Sequence, residues 1–536
     1  MKKFILSIVV LFLGFFLVSA QHNKNENQTA KKTSLTKVLL KLNGDKATTH
    51  INDAIISGFF KKYPDLKIYQ SDVTILYKTR KYKPIWHENK DLIEFAHLLY
   101  LKVNQLEEEG VESDLANKDE INEIFNSEFP KSLSQTDTEL MLSSMYLFYA
   151  KKVYYGIDTK KIQEIGWFIP RKNLSYGNLL NSLLANPELL NKNENQLFRQ
   201  YYKLRDVLKK YRQIEKNGDW KFITSDSLER EFRPKDSSKT IGQIRHRLAV
   251  AGDLKQDSKS NIYDEELMAG VLNYKKRNGF KPDYIIASKH IQNMNVPVEQ
   301  YIKTIKLNME RCRWIDPELT KANEYIIINI PSYKLLFKRN GKTELESKLF
   351  VGKNMTETVV FSSNMAQIIF SPYWYVPKSI IDYELKYEIE REKNYLATHN
   401  MEWNNGKVRQ KPGVNNTLGL VKFVFPNSND IYLHDTPSKN LFKYEYRAFS
   451  HGCINIDKAK ELAEAILKND PDWPIERINE AMNGKKETIC NLKKKIPIHI
   501  GYFTAWVNDS GEINFFTDIY SRDDCLAELL FSDDFK

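Results

Sequence analysis

The sequence predicts a multidomain α+β protein. Three observations carry that prediction: helix-period hydrophobicity from about Thr48 to Arg233, a compact capped helical segment between about Pro234 and Cys312, and a change near Glu324 to short β-branched and aromatic runs. A 536-residue chain exceeds the size at which one hydrophobic core keeps growing, so roughly two to four domains are expected. Apolar residues at 42% and aromatics at 12% suffice to pack them.

Residues 1–20 set two lysines before an apolar run, Phe4 to Val18, and end on Ser19 and Ala20. That order is the pattern of a signal peptide, and the run is short for a membrane span; an uncleaved anchor is the alternative. No cysteine follows for lipid attachment, and no second run is long enough to cross a bilayer, so the mature chain is expected to have no transmembrane domain. Residues 21–47 are polar and read as a linker. Residues 48–233 form a helical domain with amphipathic runs such as Leu92 to Glu107 and Thr138 to Tyr155, broken at Gly110, Pro130, Gly156, Pro170 and Pro187.

Within residues 234–312, Asp264 is placed to cap a helix that carries Glu265 and Glu266 in its first turn and stops at Gly279. Residues 313–522 form a β domain. Asn340-Gly341 between two apolar runs marks a hairpin, and the charged, helix-periodic stretch Lys378 to Asn400 reads as part of an insertion spanning 378–415. Residues 523–536 read as a tail.

The net charge of +11 comes from Lys and Arg interspersed with Asp and Glu, with no basic stretch interleaved with stacking aromatics, so a nucleic-acid partner is excluded. A polyanionic envelope or a carboxylate-bearing substrate suits the charge better. Four cysteines cannot make a disulfide framework. If one stays a thiol for chemistry, Cys312, Cys490 and Cys525 remain, and Cys490 with Cys525 is the more favoured pair.

The chemistry centres on Phe449 to Asp457, FSHGCINID. Cys453 could be a reactive thiolate, a metal ligand or a small buried sulfur. His434, His451 and Cys453 supply only three ligands, too few for a structural metal site. As a nucleophile Cys453 needs a base. His451, two residues away in an extended segment, is expected to face away from the thiol, which makes His434 the candidate base. Downstream, Ala459, Leu462, Ala463, Ile466 and Leu467 have helix spacing with Asp457 as N-cap, so Cys453 is expected on the turn before a helix. Gly452 permits a sharp path there, and adjacent N–H groups could face an oxyanion.

His434 to Asn455 resembles the signature of the YkuD-type L,D-transpeptidases: a histidine, a spacer, then Ser-His-Gly-Cys, with Asn455 where many members have Arg. The likeness extends to the multidomain, periplasmic YcbB-like branch through Asn308 to Trp314, Phe370 to Ile380 (Ser371 replacing an Asn), Gln410 to Pro437 and Gly501 to Tyr520. Leu76 to Trp86 resembles the start of its helical scaffold domain, and Leu248 to Pro297 a peptidoglycan-binding-type module. The insertion sits where that branch carries a capping subdomain.

The resemblance implies that Cys453 attacks a tetrapeptide stem, releases D-alanine and forms a thioester, which a diaminopimelate amine resolves into a 3-3 crosslink. Water or a free D-amino acid as acceptor would make the protein an L,D-carboxypeptidase or an exchange enzyme; an inactive murein-binding scaffold is a further alternative. It implies His434 as base, the Asp435 carbonyl as its orienting group, Gly452 and Cys453 N–H groups as oxyanion donors, and Ser450, His451 and Asn455 as supports. Tyr432, Tyr373 and Trp374 could wall the cleft, with packing the preferred role for Trp374. No cofactor or metal is required. Peptidoglycan stems and glycan would be the partners, with the protein exported to the periplasm and wall-associated; no protein partner is implied.

Overall fold

A computed structural model describes residues 50–88, 91–126, 133–192, 196–225 and 231–532. The predicted signal peptide and linker lie outside them. Among the described residues no helix is long and apolar enough to cross a membrane. The chain divides into two compact units: one from residues up to Gln105, Asp114–Lys151 and Leu174–Asn193, the other from Leu106–Ser113, Lys152–Asn173 and everything from Glu194. The units therefore interleave along the sequence and do not follow a single boundary near Arg233.

The first unit is helical around Gln135–Tyr149, a helix whose residues are buried continuously from Thr138 to Tyr149. Burial on all sides makes it a central helix, and its apolar side chains leave no periodic polar stripe. Its Glu139 is fully buried but satisfied: it accepts from the Tyr77 hydroxyl at 3.0 Å and the Trp86 N–H at 3.1 Å, and meets His87 Nδ1 at 2.7 Å. A buried carboxylate without such partners would cost several kcal/mol, about 3–5 when one partner of a pair is lost.

In the second unit, helix α1 (Arg199–Asn217) precedes a small module built on α2 (Lys239–Ala251) and α3 (Glu265–Arg277). Ile244, Leu248, Leu267 and Val271 form its core, all at 0% exposure. Asp264 caps α3 by accepting from the Leu267 N–H at 3.0 Å, and Gly279 follows the helix at φ +74°. Helix α4 (Val298–Arg313) packs on α1 and carries the Asn308 to Trp314 segment. Those polar residues are structural. Asn308 accepts from the Thr504 N–H at 3.0 Å, Glu310 accepts from Trp314 Nε1 at 2.7 Å and the Ile157 N–H at 2.6 Å, and Arg313 donates to the Glu109 carbonyl at 2.6 Å. Helix α4 thus ties short excursions of the chain to the β domain.

That domain is a closed ring. Its strands are β1 (Glu324–Asn329), β2 (Lys334–Arg339), β3 (Lys342–Gly352), β4 (Val360–Phe370), β5 (Val421–Val424), β6 (Leu433–His434), β7 (Ile454–Ile456) and β8 (Thr488–Gly501). They run in the order β5-β6-β7-β3-β2-β1-β8-β4, and β4 pairs with β5 to close the circle. All pairs are antiparallel except β1 with β8 and β6 with β7. The Asn340-Gly341 turn joins β2 to β3 with φ of 51° and 76°, the paired positive values a two-residue hairpin requires.

The insertion contains short helices, Lys386–Arg391 and Tyr395–Thr398, and a hairpin of Met401–Asn404 with Lys407–Gln410 that also pairs with Trp374–Tyr375. Val376, Met401 and Val408 form its core, with Trp374 packed against them.

Three expectations are corrected. The helix after the catalytic segment, α5 (Ala459–Leu467), begins at Lys458 without a side-chain cap, so Asp457 is not its N-cap. Residues beyond 522 are not a plain tail: Arg522–Leu530 is a helix that buries Leu526, Ala527 and Leu530. Cys490 and Cys525 are both free, Cys490 buried on β8 and Cys525 exposed on that last helix. Burial pushes the Cys490 thiol up to about 11 and the fully buried Cys312 thiol up as well, so neither is a ready thiolate.

Candidate active site

Strand register assembles the site. Parallel β6 and β7 place Leu433 opposite Ile454 and His434 opposite Asn455, and antiparallel β5 places Lys422 opposite His434. Because side chains alternate, Leu433 and Ile454 point to one face, where both are 0% exposed. Lys422, Tyr432, His434, Cys453 and Asn455 share the other. The Ile454 N–H donates to the Tyr432 carbonyl at 3.2 Å, which extends the ladder to Cys453 and makes His434 its diagonal neighbour. Cys453 therefore precedes a strand, not a helix.

His434 is buried, and its Nδ1 lies 2.6 Å from the Asp435 carbonyl, an acceptor, so Nδ1 carries the proton and Nε2 is the basic nitrogen. Asp435 is held in turn. Its N–H donates to the Val421 carbonyl at 2.9 Å, and its carboxylate accepts from the Leu420 N–H at 2.9 Å and pairs with Lys439 at 2.7 Å. Gly419, at φ +60°, leaves room for that carboxylate: a Cβ there would stand 2.4 Å from Asp435 Oδ2. Burial lowers the His434 pKa to about 4, so the ring is neutral across the physiological range.

The Cys453 thiol is raised above its ordinary value, chiefly by desolvation, against hydrogen bonds from the Tyr432 N–H and phenol and the nearby Lys422 charge, which favour the thiolate. Lys422 Nζ sits 3.7 Å from the centre of the Tyr432 ring. With the thiol raised and the imidazole lowered, the resting pair is a neutral thiol and a neutral imidazole.

Gly452 has φ +109°, a left-handed value that favours glycine. Its carbonyl accepts from the Thr358 hydroxyl at 2.9 Å, and its N–H donates to Ser450 Oγ at 3.2 Å. Ser450 also donates to the Cys453 carbonyl, so Ser450 staples the loop. The Gly452 N–H, expected to serve as an oxyanion donor, is thus engaged inside that staple. His451 is exposed and Nε2 meets Glu384 Oε1 at 2.7 Å. Residues i and i+2 of a regular strand share a face; the turn at Gly452, not alternation, sends His451 away from the sulfur.

Of the other predicted residues, Asn455 is buried on the site face. Trp374 packs in the insertion core. Tyr373 lies under the Arg409 guanidinium at 4.0 Å and belongs with the insertion rather than with the thiol and imidazole. Ser371, at φ +46°, donates to the Ala481 and Met482 carbonyls at 2.9 and 3.0 Å. The sequence does not single out Lys422 or Thr358: a lysine in a β run and a threonine in a loop carry no signal until the register is known. Among the described residues no group of three or more His, Cys, Asp or Glu could hold a metal ion.

Residues 323–476 match the YkuD family, described as the L,D-transpeptidase catalytic domain, and residues 71–208 match a family described as the Scaffold domain. A curated protein of Haemophilus influenzae named "Putative L,D-transpeptidase" is 33% identical over 240 residues, covering 41% of this chain and 48% of that protein. The chain thus spans about half the length of the curated relative it matches. Solved structures that align include an L,D-transpeptidase from Mycobacterium smegmatis (13% identity, 34% of this chain and 59% of that one, TM-score 0.20) and one from Stackebrandtia nassauensis (12%, 52% and 97%, TM-score 0.22).

Proposed function

We propose that this chain, which carries a YkuD-type L,D-transpeptidase catalytic domain, is a peptidoglycan L,D-transpeptidase of the cell wall. The observation that carries the reading is the shared face of β6 and β7, on which Cys453 and a Nδ1-protonated His434 are diagonal neighbours.

In this reading His434 Nε2 takes the thiol proton as Cys453 Sγ attacks the carbonyl before the terminal D-alanine of a tetrapeptide stem. The oxyanion forms against the Cys453 N–H, and the Lys422 charge favours the developing anion. The imidazolium returns its proton to the leaving D-alanine amine, leaving a thioester. A diaminopimelate amine of a second stem, deprotonated by the same Nε2, attacks that thioester, gives a 3-3 crosslink and restores the thiol. The leader-like residues 1–20 and the wall substrate support export to the periplasm.

Incubating the protein with disaccharide-tetrapeptides and weighing the products tests this. Crosslinked dimers that vanish in Cys453→Ala support transpeptidation; tripeptides without dimers would make the protein a carboxypeptidase, and no Cys453-dependent product would overturn the assignment.

A further inference from the structure

A cleft of about 1170 Å³ lies away from the nucleophile, walled on one side by the helical module and on the other by the β domain and the segment that leads into the catalytic loop. It shares Ser332, Lys334, Glu346, Asn508, Asn514 and Phe516 with a second hollow of about 420 Å³, so the two form one groove. A groove of this size exceeds the roughly 300–1000 Å³ that a small metabolite fills, which points to an extended ligand.

Glu445 is one of the links between the walls. Glu445 accepts from the Lys281 N–H at 2.7 Å and pairs with Lys289 at 2.7 Å, which fastens the module to the 442–447 segment.

The lining of the larger cleft has eight Lys or Arg side chains against four Asp or Glu. Three of those acids are already matched: Asp253 by Arg277 at 2.5 Å, Glu346 by Lys334 at 2.6 Å and Glu445 by Lys289. Lys276, Lys348 and Lys443 line the groove, are exposed and have no ion-pair partner among the described residues; Lys348 Nζ donates only to the Phe442 carbonyl, at 3.3 Å. Tyr444 and Tyr446, 57% and 50% exposed, add aromatic faces beside them. Unmatched cations next to upright aromatic rings fit a ligand that alternates carboxylates with saccharide rings, since each ring face buries a sugar's apolar side while its polar rim stays wet.

We propose that this groove docks a carboxylate-bearing peptidoglycan strand, with stem-peptide carboxylates on Lys276, Lys348 and Lys443 and sugars against Tyr444 and Tyr446. The inference rests on the reading of the chain as a peptidoglycan enzyme and adds a second contact with the same polymer. Tyr444 and Tyr446 both touch the ring of Phe449, at 6.2 and 6.1 Å, and Phe449 begins the segment that ends at Cys453. A strand held here stays close to the centre that acts on it.

The test is co-sedimentation of the full chain with isolated sacculi, for the wild type, for the triple variant Lys276→Glu, Lys348→Glu, Lys443→Glu, and for an equally charged control, Lys160→Glu, Lys161→Glu, Lys216→Glu, on exposed sites outside the groove. The groove variant is expected to lose roughly tenfold or more in sacculus affinity, and the control to stay within about twofold. Equal losses, or none, would overturn the groove. Sacculi whose carboxylates have been blocked by carbodiimide coupling to a neutral amine are expected to bind wild type as weakly as the groove variant; full binding would overturn carboxylate recognition. The denaturation midpoint is expected to be unchanged in both variants and reports that each is folded. Dimer formation from soluble disaccharide-tetrapeptides tests the enzymatic reading separately: its failure with intact sacculus binding would count against that reading and not against the groove.

Discussion

His451 Nε2 lies 2.7 Å from Glu384 Oε1, so the loop that carries Cys453 and the 378–415 insertion touch at this pair. Both side chains are about half exposed, which limits such a pair to roughly 0.2–1 kcal/mol. Glu384→Gln is expected to speed iodoacetamide alkylation of Cys453 by about twofold to fivefold through a looser insertion, with Tm unchanged. An unaltered alkylation rate would mean that the pair does not hold the insertion.

The neutral resting pair sets the pH profile. His434 stays deprotonated above about 4 and the Cys453 thiol is raised, so kcat/KM is expected to show no inflection near the ordinary histidine value of 6.5 and to climb on the alkaline side. A step at 6.5 would show that His434 is not buried as described.

The same burial acts on stability. His434, His290 and His499 each have a folded pKa of about 4, below the ordinary 6.5, so in that interval the unfolded chain binds protons that the folded chain refuses. Their contribution is complete above about 6.5 and is lost as pH falls toward 4; chemical denaturation at a series of pH values is expected to show the midpoint dropping through that window.

Lys422 is the cation beside the sulfur. Lys422→Met is expected to raise the Cys453 pKa further and to slow both alkylation at pH 8 and turnover by roughly tenfold, about one pKa unit's worth, with Lys422→Arg recovering part of it. Equal alkylation profiles for the methionine variant and the wild type would remove Lys422 from the chemistry.

Gly419→Ala drives a Cβ to 2.4 Å from Asp435 Oδ2 at a left-handed backbone position. We expect a loss of about 2–4 kcal/mol by denaturation and a larger loss of kcat than of substrate affinity, because Asp435 positions His434. Stability within about 0.5 kcal/mol of wild type would show that the carboxylate can move.

The Asp264 cap, the Asn340-Gly341 hairpin and the His434 to Asn455 motif that carries the family resemblance are legible in the amino-acid sequence because each is a local signal, complete within a few neighbouring residues or one motif. Ile454 to Ile456 gives no such signal: three residues are too few to display alternation, and the helical periodicity after them draws the nucleophile toward Asp457. Lys422 is silent in the sequence because its meaning depends on which residue lies across the ladder. The interleaving of the two units is hidden for the same reason: residues 106–113 and 152–173 join the second unit through long-range partners such as Arg313, Glu310 and Trp314.

Strands β6 and β7 run parallel, and two parallel neighbours cannot be made by a tight turn; nineteen residues of chain must loop back before His434 and Cys453 sit side by side. Their proximity is thus a non-local product of the fold. A chain in which β6 and β7 have not paired holds a solitary sulfur and an unemployed imidazole, and the proposed acyl-transfer centre comes into being only when they do.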